Sequence, residues 1–275
     1  MVMERLLILG TSAVVFLCVG VAMLILAATP PKRGAGGVAP PAIVKEARRQ
    51  PMSEAQLSQA LDEALGSAPE YVGFFGRFAQ AFPVDYAAAT GAFKARLKAL
   101  GHADSADYYV SEAIRLLRKS QGALVAKAEP EPLMRVFDAQ LAVMRAMAEE
   151  NPRMCVGFLY GATAQDFERA AAAKRPLVAE MALARLEATA NGQAKRIDRG
   201  APSPADVKAL EKALAERGLS ETEVDVLIGG RTLDPPLDDA RMCSIGVAYL
   251  EALRALPEAS RTKIYSLLLE QMARS

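Results

Sequence analysis

The stretch LLILGTSAVVFLCVGVAMLILAA, Leu6 to Ala28, carries no charged residue. No other feature constrains the chain so strongly. A bilayer core offers no water to satisfy backbone N–H and C=O groups, so an apolar run of roughly 20 residues can cross it only as a helix. A cleavable signal peptide has a shorter apolar core, about 7–15 residues, followed by a small-x-small site. The sequence LILAATPPK matches such a site poorly. Cys18 stands mid-segment behind Phe16 and Leu17, unlike a lipid-attachment cysteine behind small residues. The expectation is an uncleaved single-pass anchor over residues 1–28, meeting the bilayer through residues 6–28.

Residues 29–51 read TPPKRGAGGVAPPAIVKEARRQP, rich in Pro and Gly and without apolar periodicity. That is linker composition, part extended and part flexible. Its basic residues can rest on anionic headgroups at about 1 kcal/mol each, or simply stay solvated. Arg5 precedes the anchor, and Lys32, Arg33, Lys45, Arg48 and Arg49 follow it. Taken literally, the positive-inside bias holds the C-terminal part in the cytoplasm, although long domains translocate despite modest flanking charge.

Residues 52–275 show helical periodicity almost throughout. Ser53 with Gln56 forms a capping-box signature before Leu57, Leu61 and Leu65. Tyr71, Phe74, Phe75, Phe78 and Phe82 make an aromatic stripe of the kind that fills a core. Leu133, Phe137, Leu141, Met144 and Ala148 line one side of the strongest predicted helix. Pro152 suits a first turn, and Pro176 must break or kink the helix drawn through it. Runs alternating apolar and polar with β-branched residues are lacking, so strands are not supported. The expected fold is all-α: a transmembrane helix, a linker, and a compact domain of roughly nine to twelve helices. Helix-pair repeats at a 34-residue period do not emerge.

Composition narrows the chemistry. Formal net charge is +1 and Trp is absent, so neither a phosphate-gripping excess of charge nor stacking platforms point to nucleic acid. His102 is the single histidine, in LGHAD between two helices, and reads as a solvated loop residue. One His and two distant Cys lack recognised zinc spacing. GGVAPP lacks the Lys-Ser/Thr of a phosphate loop. Neither metal nor cofactor is expected. The tetrapeptide Ser260-Arg261-Thr262-Lys263 resembles the Ser-x-x-Lys signature of penicillin-binding proteins and serine β-lactamases. The Lys-Thr-Gly and Ser-Asp-Asn elements and the sheet are missing, so a solvated helix turn is the simpler reading. Glu149 with Glu150, Glu221 with Glu223, and Asp238 with Asp239 fall near helix ends, where charge is cheap. No catalytic residue is expected.

The remaining question lies in NPRMCVGFLYG and DDARMCSIGVAYL, which share Arg-Met-Cys. Cys155 and Cys243 are 88 positions apart, unlike the Cys-x-x-Cys of redox catalysts. Near two packed helix starts they can form a structural disulfide, whose long loop constrains the unfolded chain by roughly 4–5 kcal/mol. Two buried thiols, or a reactive pair beside Arg153 or Arg241, are the alternatives. A bridge implies the oxidising side of a bacterial inner membrane. The expectation is a membrane-tethered, non-enzymatic helical interaction or scaffold protein of the cell envelope, with a periplasmic domain and a protein partner. An envelope-acting hydrolase and a cytoplasm-facing assembly factor with free thiols are the alternatives.

Overall fold

The computed structural model describes residues 52–159, 168, 171–229 and 233–274. Among these residues the ordered secondary structure is entirely helical, without a strand. The anchor and linker predicted over residues 6–28 and 29–51 lie outside the described residues. No helix among the described residues is long and apolar enough to cross a membrane.

Local chemistry sets most helix boundaries. Helix α1, Glu54–Gly66, opens on the expected capping box: the Gln56 N–H donates to Ser53 Oγ and the Ser53 N–H to Gln56 Oε1. Pro69 starts a 3₁₀ turn, Pro69–Tyr71, rather than a full α-turn, and α2 follows as Val72–Ala81. Pro83 sits in the first turn of α3, Pro83–Leu100, which ends where Gly101 takes φ 75°. Ser105 caps α4, Ala106–Gln121, and a 3₁₀ segment, Gly122–Lys127, leads to α5, Pro130–Glu150. Then come α6, Pro152–Leu159, and α7, Arg175–Lys195. Pro176 stands in the first turn of α7, so it begins a helix and does not kink one. Ser203 caps α8, Pro204–Ala215; α9 spans Glu221–Gly229, and Asp238 caps α10, Asp239–Ala255. Helix α11, Glu258–Arg274, closes the chain of elements.

These helices bury two apolar clusters. The first joins Leu61, Tyr71, Phe74, Phe78, Phe93 and Tyr109 from α1 to α4. The aromatic stripe is core, as expected, and each such side chain removed from water contributes roughly 1.5–3 kcal/mol. The second cluster joins Val125, Phe137, Met144, Leu214, Ile245 and Tyr265 from the 3₁₀ segment, α5, α8, α10 and α11. Helix α7 belongs to both: Val178, Ala182 and Leu186 enter the first cluster and Ala188 the second. Its abundance of alanine suits that place, because small side chains let neighbours approach on several sides.

A buried polar pin fixes the start of α7. Arg175 Nε and Nη2 donate to the Asp107 carboxylate at 3.0 and 2.7 Å, and the Tyr71 hydroxyl donates to Asp107 Oδ1 at 2.8 Å. Burial by itself would raise the Asp107 carboxyl, but the hydrogen bonds from Arg175 and Tyr71 reverse this and hold it below its ordinary range.

Candidate functional site

Cys155 lies in the first turns of α6 and Cys243 in those of α10. The structure brings the two together, with sulfurs 2.06 Å apart and Cα atoms 5.6 Å apart. Both side chains are buried in the second cluster. The two Arg-Met-Cys segments therefore face each other, and the glycines that follow them, Gly157 and Gly246, have different surroundings. A Cβ on Gly246 would stand 2.5 Å from Leu159 Cδ1, whereas one on Gly157 would meet nothing within 4 Å. Gly246 is where α10 passes close beneath α6.

Arg241 does not serve the sulfurs. Its Nε and Nη2 donate to the Glu223 carboxylate, at 2.5 and 2.7 Å. Ser220 adds its N–H at 2.9 Å and its hydroxyl at 3.0 Å. The Arg241 hydrogen bond is the main reason that Glu223 is held down, to about 2; burial opposes it and Ser220 reinforces it. Glu223, read with Glu221 as a solvated charge at a helix end, is instead buried, at 7% exposed. The spacing Ser220-x-x-Glu223 carried a capping-box signal. The partner from α10 had none, because the pairing is set by packing.

Ser260 also has a structural partner. Its hydroxyl donates to Asp206 Oδ1 at 2.5 Å, and Ser203 donates to Oδ2 through its N–H at 2.8 Å and its hydroxyl at 2.7 Å. The Ser260 hydrogen bond, with those from Ser203, holds the Asp206 carboxyl down to about 2. A carboxylate that acidic is a weak base for a serine proton. The arrangement ties α11 to the N-terminus of α8. Asp238 acts as the cap of α10, accepting from the Arg241 N–H at 2.8 Å. His102 is exposed just past Gly101, with Nδ1 3.2 Å from the Ala103 carbonyl oxygen. Among the described residues, no group of three or more His, Cys, Asp and Glu is placed to hold a metal ion.

One broad concavity lies where the start of α5, the end of α7 and the start of α11 meet. It encloses about 880 Å³. Pro130, Pro132, Met134 and Ile197 supply apolar wall, and Glu131, Asp138 and Glu258 are exposed carboxylates at its margin. None of these three makes an ion pair among the described residues. Glu129 is engaged: it accepts from Asn191 Nδ2 at 3.0 Å and pairs with Lys195 at 3.2 Å. Arg261 contributes a buried Nε with no hydrogen-bond acceptor, while its Nη1 donates to the Arg254 carbonyl. Its guanidinium carbon lies 6.0 Å from the Phe137 ring centre. The groove drew no signal in the sequence, since Glu131 and Glu258 are far apart in the chain.

Comparison of the chain with protein families, with curated proteins and with solved structures finds no match.

Proposed function

We propose that this is a membrane-tethered, non-enzymatic interaction protein of the bacterial cell envelope, docking a partner polypeptide in the groove between α5, α7 and α11. The observation that carries this reading is the groove's chemistry. It combines an apolar wall with three exposed carboxylates that make no ion pair among the described residues, against the lining cations Arg135 and Arg261. An extended segment with basic side chains complements it: cations meet Glu131, Asp138 and Glu258, and apolar side chains rest on the wall. The charge-free run Leu6–Ala28 supports the tether. The paired cysteines support the oxidising face of that membrane. The buried carboxylates Asp107 and Glu223 are engaged in ion pairs, and Ser260 in a helix-to-helix hydrogen bond, which favours a binding role over hydrolysis.

The test places a photo-crosslinking residue at Glu131, Met134 or Glu258 of the full chain in native membranes, with exposed Val84 as control. Discrete adducts from the groove positions, absent from Val84 and lost on Asp138→Lys, are the expected result. Adducts indifferent to position, or catalytic turnover by the purified chain that a point substitution removes, would overturn the reading.

A further inference from the structure

A second, smaller concavity of about 360 Å³ lies on the other side of the α7 end, bounded by the last turns of α4, α7 and α11. Its charged lining is basic throughout: Arg118 and Lys119 from α4 and Arg196 just past α7. Gln193 adds an amide and Gln121 a second, which donates to Asp85 Oδ2 at 3.2 Å; among the described residues no carboxylate lines the concavity itself. Gly122 forms part of the floor. A Cβ there would stand 3.1 Å from Ala273 Cβ and 3.3 Å from Arg118 Cγ, so the glycine leaves room for α11 and for the Arg118 stem.

Arg185, farther back along α7, makes the charge excess harder to dismiss. Its Nη2 is buried and has no hydrogen-bond acceptor. Burial disfavours its charge, the neighbouring Tyr265 hydroxyl, which donates to Gln140, offsets this in part, and Arg118 disfavours the charge further. The plain alternative is that Arg118, Lys119 and Arg196 only complement the negative ends of their helices. Each helix end amounts to about half an elementary charge. Three such ends do not cancel the three surface cations, and Arg185 lies in the interior of its helix, beyond reach of that explanation.

We propose that this concavity is an anion site for a phosphate group, held by Arg118, Lys119 and Arg196 with Arg185 as fixed positive charge behind them. Guanidinium forks match tetrahedral oxyanions well, and charge-assisted hydrogen bonds are the strong kind. The phosphate can come from a free phosphate or phosphomonoester or from a phospholipid headgroup, because the recognising chemistry is the same.

The experiment uses the full chain in a non-ionic detergent. Inorganic phosphate is titrated at constant ionic strength against chloride, following the melting temperature and the arginine Nε–H resonances. Flotation of the full chain with vesicles of phosphatidylcholine alone, or with phosphatidylglycerol added, runs in parallel. The expected result is saturable stabilisation by phosphate with a shifted Arg185 resonance, and affinity at least about tenfold weaker in Arg118→Gln, as for loss of one charge-assisted hydrogen bond. Lys119 is exposed and Arg118 half-buried, so the double variant Arg118→Gln, Lys119→Gln keeps the test open if Arg185→Gln fails to fold. Flotation that rises with phosphatidylglycerol and falls with added phosphate assigns a headgroup; phosphate binding without it assigns a soluble anion. An equal response to chloride, or a phosphate response unchanged in the double variant, overturns the proposal.

Discussion

The backbone oxygen of Leu124 occupies the space where a side chain on Gly192 would begin: a Cβ there would lie 1.8 Å from it. Gly192 is fully helical in α7, so its lack of a side chain serves the approach of the 3₁₀ segment and not a turn. The contact brings the segment linking α4 to α5 against the helix shared by both apolar clusters. Gly192→Ala forces backbone to move, since Leu124 C and Ala128 N also stand within 3.1 Å. The expected cost is about 3 kcal/mol, at the upper end for overpacking. Urea unfolding with an unchanged slope checks it. Gly246→Ala meets only the ends of Leu159 and Met144, which can rotate away, and should cost clearly less.

Asp107 is 2% exposed and sits between Tyr71 and Arg175. Asp107→Asn leaves the guanidinium without its counter-charge, at a cost of about 2–3 kcal/mol, because Arg175 remains partly solvated. Tyr71→Phe removes one hydrogen bond to a charged acceptor, about 1.5 kcal/mol. The two effects should fall short of additive, since both act on one carboxylate. A double-mutant cycle in urea reads the coupling.

Acid should loosen the domain in a defined window. Asp107, Asp206 and Glu223 are all held below their ordinary values in the folded chain, the latter two to about 2. The unfolded chain therefore takes up protons first as pH falls. The stabilisation they provide is complete above the ordinary carboxylate range and drains away from pH about 4.5 down to about 2. Glu223→Gln should flatten the urea midpoint against pH over that interval. A slope unchanged from wild type would show that the Glu223–Arg241 pair does not contribute.

Cys155 and Cys243 close a loop spanning 88 positions. Cys243→Ser should lower stability by about 2–4 kcal/mol, less any relaxation of the reduced state. Before any variant is made, trypsin digestion of thiol-blocked native membranes should release Met154–Arg169 joined to Met242–Arg254. Two alkylated peptides in place of the joined pair would put the domain on the reducing side.

Ser260→Ala should raise the Asp206 carboxyl from about 2 toward its ordinary value, because the largest cause of its depression is the Ser260 hydrogen bond. Carboxyl carbon resonances followed through an acid titration read this directly. A fluorescent penicillin should leave the wild-type chain unlabelled.

How far the chain could be read depended on distance along it. Ser53 with Gln56, Ser203 before Pro204, Asp238 before α10, and Gly101 after α3 mark helix ends through contacts no more than four residues long. Their chemistry acts within one turn, so the spacing alone reveals it. The repeat of apolar residues at three and four positions placed the aromatic stripe in the core, since an amphipathic helix can bury only one face. The sequence also narrowed the cysteines to a few readings, because two residues 88 positions apart have few ways to act together. Tertiary packing decided the rest. Nothing near Glu223 announces Arg241, and nothing near Asp107 announces Arg175 or Tyr71. The division into two apolar clusters with α7 shared between them, the burial of Arg185 beside Tyr265, and the meeting of Glu131 with Glu258 at one groove likewise come from helices that touch side by side. Helix formation is governed by neighbours in sequence. Which charges are buried together depends on which helices the apolar surface drives into contact, and that choice belongs to the whole chain.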